Sequence, residues 1–209
     1  MNTKENVKEI STIVLAAIIL AVAFAYKNTE VFYAAAISFL VILIINVLTK
    51  KIVGYNLETN VRTKFWEWYQ FGFRKDMHFK TPIPMAWLPL IISLFTKGFG
   101  LWLGILEFDI EAKTERVSKR HGLYRFTQVT EWHMAWIATW ALIINLIFAI
   151  IGYIAGYELF TKLSIYFIAW STFPIGRLDG SKIFFGSRAL WTVVFTIAMI
   201  ILGWSLVVI

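Results

Sequence analysis

Cysteine is absent from the 209 residues, so the chain has neither a disulfide framework nor a thiolate metal site. Histidine is nearly absent, occurring only at His78, His121 and His133. Charge is scarce too: Asp, Glu, Lys and Arg make up 16% of the chain, where an average soluble domain holds about 25%. What is present is apolar. Hydrophobic residues reach 59%, against about 45–50% in soluble domains, which excludes an ordinary soluble fold and indicates an integral membrane protein. The formal charge of +7 would suit nucleic acid, but the basic residues follow one side of a membrane topology and suit anionic lipid headgroups instead. Internal repeats, low-complexity tracts and a separate soluble domain are all missing from the pattern.

The apolar runs predict an all-α polytopic membrane protein forming a single domain over 1–209, with about five transmembrane helices and a re-entrant hairpin. The expected spans are 10–26, 31–48, 134–157, 159–172 and 189–209, most of them near the roughly 20 residues that cross a ~30 Å core. Ala23-Phe24-Ala25 has the form of a signal-peptidase site; a retained helix is the expectation. Between the second and third spans, residues 85–106 are apolar but interrupted by Thr96-Lys97-Gly98-Phe99-Gly100. Counting basic residues separates a crossing from a hairpin. Residues 49–84 hold seven Lys/Arg and residues 107–133 hold five. If 85–106 returns to the side it left, 17 of the 20 basic residues are cytoplasmic, and the positive-inside rule favours that arrangement. The N-terminus is then inside and the C-terminus outside a cell membrane. The segments 49–84 and 107–133 become cytoplasmic and interfacial, and the rings of Phe65-Trp66-Glu67-Trp68-Tyr69-Gln70-Phe71 suit the headgroup layer. Gly152-x-x-x-Gly156 has the spacing of a helix-contact pattern.

The stretch with the most chemistry is Phe173-Pro174-Ile175-Gly176-Arg177-Leu178-Asp179-Gly180-Ser181-Lys182. Pro174 cannot continue a helix, and the two glycines permit backbone angles that other residues resist. Asp179 therefore falls at an irregular point between two apolar runs. An ionisable group there marks a candidate functional site, although the basic neighbours Arg177, Lys182 and Arg188 also suit a plain cytoplasmic turn.

Residues 174–183 resemble the P-x-x-P-L-D-G signature of the site-2 family of intramembrane zinc metalloproteases, with Arg177 in place of the second proline. The resemblance implies a site-2-protease-like core in which the residue at Asp179 is a ligand of catalytic zinc. Trp140-Ala141-Leu142-Ile143-Ile144-Asn145-Leu146 sits where that family has G-P-x-x-N-L, with Asn145 matching. Thr81-Pro82-Ile83-Pro84 and the hairpin are similar to archaeal branches of the family. The family's H-E-x-x-H, in which two imidazoles on one helix face hold the metal and the glutamate acts as base, is missing. By order and spacing its place is taken by Asn46-Val47-Leu48-Thr49-Lys50.

The resemblance thus implies residual active-site positions at Asn46, Val47, Lys50, Asp179 and Asn145, with no catalytic residues, no metal expected and no other cofactor. Asn46 and Lys50 share a helix face. The Lys50 ammonium is expected to supply the positive charge that zinc supplies in the family, pairing with Asp179 directly or through Asn46. The alternative has Lys50 reaching the interface while Asp179 pairs with Lys182, Arg177 or backbone amides. Glu131 and His133 are expected to be a polar pair at a helix start, and His78 and His121 solvated loop residues. The expected function is that of a catalytically inactive relative of these proteases, binding or scaffolding the transmembrane segments of other membrane proteins within the lipid bilayer, without nucleic acid. An active protease with non-standard zinc ligands and a transporter or channel subunit are the competing expectations.

Overall fold

The computed structural model describes residues 3–26, 29–70, 78–113 and 129–208. Helices dominate it. In chain order they are α1 (Thr3–Phe24), α2 (Phe32–Asn56), α3 (Leu88–Phe95), α4 (Glu131–Ile154), α5 (Glu158–Thr172), α6 (Asp179–Gly186) and α7 (Arg188–Val208). Among the described residues, four helical stretches are long and apolar enough to cross a membrane: Glu5–Phe24, Thr29–Asn56, Glu131–Ile154 and Arg188–Val208. The remaining expected span, 159–172, is α5. Its 15 residues rise about 22 Å, short of a ~30 Å hydrocarbon core, and most of them are buried. It is a central element rather than a lipid-facing one.

The expectation of an all-α chain is corrected by two antiparallel ribbons. β1 (Thr59–Phe65) pairs with β4 (Leu106–Ala112) from Thr59↔Ala112 to Phe65↔Leu106. β2 (Glu67–Gln70) pairs with β3 (His78–Pro84). The period of two is visible along β1, where Thr59, Val61 and Thr63 are buried and Arg62 is exposed. The second expected span also runs further than 31–48, because α2 continues through Lys50 and Lys51 to Asn56 before a turn at Glu58 (φ 54°) enters β1.

α2 is the hub. It packs on α1, α4, α5 and β1, while α4 also packs on α5 and α6, and α7 lies against α5 and α6 at the edge. The larger core cluster joins α1, α2 and α5 through residues such as Leu20, Phe39, Leu43 and Leu163, with Leu103 and Ile105 added from the limb before β4. A smaller cluster joins Val61 and Phe108 of the first ribbon to Ile137, Leu142 and Ile183. The Gly-x-x-x-Gly pattern does not act as one contact face. A Cβ on Gly152 would lie 2.6 Å from the Phe160 ring, but Gly156 lies beyond the end of α4, at φ +81°, with nothing within 4 Å.

Residues 85–106 form a hairpin with two unlike limbs. One limb holds α3; the return limb is extended and leads into β4. Both limbs are pinned to one residue. Met85 N donates to Trp66 O at 3.0 Å, and Trp66 N donates to Ile105 O at 2.9 Å. The segment therefore ends beside where it began. The aromatic stretch supports this root rather than lying outside it. Trp66 is buried and stacked on Trp102 (ring centroids 5.9 Å), which packs on Trp170 of α5 at 4.7 Å. Phe71, in the same stretch, lies outside the described residues.

Candidate functional site

The residues before Asp179 are shaped by its neighbours. Pro174 ends the helical run, Gly176 adopts φ +56° beneath the Trp66 ring, and extended Leu178 caps α6. Asp179 then opens α6, where a carboxylate is favoured by the helix dipole. Gly180 lets α6 approach the end of α5. A Cβ there would lie 2.3 Å from Thr172 O and 2.4 Å from Phe173 O, distances that backbone cannot relieve cheaply. Replacing Gly180 by alanine should cost at least about 1–3 kcal/mol in denaturant unfolding in detergent. A change below about 0.5 kcal/mol would show that the approach is not a constraint.

Across from α6, the last two turns of α2 present Lys50. Its Nζ lies 2.9 Å from Asp179 Oδ1 and 2.7 Å from Oδ2, a bidentate ion pair between side chains only 3% and 5% exposed. The pair is direct, with no bridging by Asn46. Asn46 is buried one turn away on the same face and lines the same small cavity as Lys50, Asp179 and Leu178. That cavity measures about 10 Å³, so side chains fill the space beside the pair, leaving at most room for about one water. Asn46 Nδ2 has no hydrogen-bond partner among the described residues.

Two expected site positions are not gathered here. Val47 packs toward α1 in the cluster containing Ile13, Leu20 and Leu43. Asn145 is buried on α4 without lining the cavity, and its Nδ2 also lacks a partner among the described residues. The alternative partners of Asp179 are engaged elsewhere. Lys182 Nζ donates to the Phe108 carbonyl, and Arg177 meets Asp109 at 3.2 Å and Glu107 at 3.7 Å. His133 serves a helix start: its Nδ1 lies 2.5 Å from Thr130 Oγ1 at the N-cap of α4, with Glu131 in the first turn. His121 lies outside the described residues, and His78 opens β3. Among the described residues, no three His, Asp or Glu side chains converge in a way that would hold a metal ion.

Sequence reasoning missed β4. The ring of Phe108 is buried, with Lys182 Nζ 3.5 Å and Lys50 Nζ 4.7 Å from its centroid, so one aromatic face system serves two ammonium groups. On either side of it, Glu107 and Asp109 bind Lys64 of the paired strand at 3.2 Å and 2.8 Å. Together with Arg177 they latch β4 onto the loop that carries Asp179. Arg177, the departure from the proline of the resembled motif, is what makes that latch.

The latch titrates. Burial pushes the Glu107 carboxyl above its ordinary 4.5, and the opposing charges of Lys64 and Arg177 do not fully offset it. For Asp109 burial acts upward as well, but Lys64 and Arg177 outweigh it and hold the group below 3.8. Just above pH 4.5 the folded chain keeps a Glu107 proton that the unfolded chain has released, so this contribution is lost as pH rises through the raised value. Asp109 contributes oppositely, losing its part as pH falls through its lowered value. Thermal unfolding at pH 4.5 and pH 7 should therefore show Glu107→Gln gaining on the wild type at the higher pH. Parallel behaviour of the two proteins would contradict the assignment.

Compared with models of known families, with curated proteins and with solved structures, the chain matches none. The site must be read from its own geometry. That geometry is a buried cation–carboxylate pair beside a cavity of about 10 Å³. It can join α2 to α6 across the bundle.

Proposed function

We propose that this protein is a catalytically inactive, multi-pass membrane relative of the site-2-type intramembrane metalloproteases, in which Lys50 supplies the positive charge that a zinc ion supplies in active members. The observation that carries the reading is the bidentate contact of Lys50 with Asp179, at 2.7 and 2.9 Å. It joins the helix position of the lost H-E-x-x-H to the aspartate of the P-x-x-P-L-D-G-like motif. The pair stabilises the bundle without hydrolytic chemistry.

In this reading the protein binds or scaffolds transmembrane segments of other proteins. The cytoplasmic side carries the N-terminus and the β1–β4 ribbon, and α7 ends on the other side. Since the site itself is filled, clients meet outward faces of α2 and the hairpin, where Ile37, Ile44 and Ile91 are exposed.

The test places a photo-crosslinking residue at Ile37, Ile44 or Ile91 in cell membranes. The reading expects a discrete adduct with a membrane protein, unaffected by metal chelation, and no cleavage of the captured partner. Crosslinks to lipid alone would remove the scaffolding function. Cleavage that stops on chelation would replace it with a protease.

A further inference from the structure

The depth of the hairpin is fixed by its contacts with α1. At its root the preceding strand β1 meets the first turns of that helix: Thr63 N donates to Glu9 Oε1 at 3.1 Å, and Arg62 lies 3.4 Å from Glu5. Near its tip, Ser93 Oγ donates to Ala23 O at 2.6 Å, one residue before α1 ends. From Glu9 to Ala23 the helix rises about 21 Å. The chain thus travels most of the length of α1 between Thr63 and Ser93, and the tip turn, residues 96–100, still lies ahead.

That turn is built locally. Gly98 N donates to Ser93 O at 2.7 Å, Gly100 N donates to Thr96 Oγ1 at 2.8 Å, and Lys97 and Gly98 take φ values of 53° and 77°. Around it the surface is strongly apolar: Phe95 and Phe99 are 82% and 84% exposed, and Ile91 and Leu94 are exposed along α3. Lys97 is the one charged residue between 85 and 106.

We propose that the hairpin passes through the bilayer from the side of the β1–β4 ribbon and that its tip docks into the lipid headgroup layer of the opposite leaflet. The proposal goes beyond the scaffolding reading and rests on α1 crossing the membrane. The occupant of the tip surface is phospholipid. Exposed rings flanking a single ammonium match the boundary of acyl chains and anionic phosphates, where aromatic residues gather and lysine extends toward the polar layer. A tip halting in mid-bilayer would leave that ammonium in hydrocarbon, at a cost of several kcal/mol. The ribbon side holds the first turns of α1; the tip turn follows Ser93, which meets Ala23 near the other end of that helix.

The cysteine-free sequence makes any single introduced cysteine a unique reporter. Lys97→Cys, and Phe99→Cys in case the first disturbs the turn, are exposed in sealed vesicles of known orientation to a membrane-impermeant maleimide. Tyr26→Cys marks the α1–α2 side and Glu111→Cys marks the ribbon side; both parent residues are exposed. The tip cysteines should label from the Tyr26→Cys side, at least tenfold faster than from the other. Labelling from the Glu111→Cys side, or none until detergent is added, overturns the proposal while leaving the scaffolding reading intact. Markers that label from the same side show instead that α1 does not cross, and both fall together.

Discussion

Replacing Lys50 by methionine should cost about 3–5 kcal/mol of stability, the largest single-residue effect expected in this chain. The reason is what remains behind. Asp179 is 5% exposed at the side chain and would be left as an unpaired buried carboxylate between α6 and α2. Removing one partner of a buried pair leaves the full desolvation cost of the other, whereas replacing both by apolar residues of similar volume is often neutral. Lys50→Met with Asp179→Leu should therefore recover most of the loss. Lys182 Nζ lies over the same Phe108 ring as Lys50 Nζ, so Lys50→Met/Lys182→Met shows how much it compensates. Unfolding in detergent, followed for the singles and doubles, gives the coupling. A loss below about 1 kcal/mol for Lys50→Met would mean the contact carries little of the bundle.

The second large effect is a gain. Asn46→His/Lys50→His places two imidazoles at i, i+4 on the face of α2 that already meets Asp179. The shorter side chain at position 50 opens space for a cation, and two histidines and a carboxylate are a ligand set that zinc accepts at about 2.0–2.2 Å. This variant should bind one zinc per chain. At a free concentration about 100-fold above its Kd, the metal would add about 2.7 kcal/mol of stability. Asp179→Ala in the same background should abolish the effect. Proteolysis should not appear, because Val47 packs toward α1 and supplies no base at the site. Zinc content no higher than in the parent would mean that α2 and α6 do not present a metal-shaped arrangement.

Much of the site was legible because it rests on local chemistry. The helix-breaking residues around Asp179, and the i, i+4 relation of Asn46 and Lys50, are properties of short stretches. The pairing of two charged residues in an apolar chain follows from the cost of leaving either alone. The ribbon was not read because its pairing joins Lys64 to Glu107 across a long intervening segment. Charges on β1 and β4 suggested cytoplasmic interfacial segments, whereas in the fold they pair with one another and Glu107 is fully covered. Trp66 was misplaced for a related reason. Tryptophan suits headgroups and cores alike, and only the stacking of Trp102, from the far limb of the hairpin, decides between them. The length of α2 was underestimated because Lys50 and Lys51 resemble the end of a span. In the fold one is neutralised by Asp179 and the other by Glu9 at 2.5 Å, so the helix continues.

In the proposed function an ammonium takes the place of a metal ion, and metal content of the purified wild-type protein tests this most directly. Zinc is expected far below one equivalent per chain, unchanged by Asp179→Asn. One equivalent of zinc that disappears when Asp179 is replaced would contradict it.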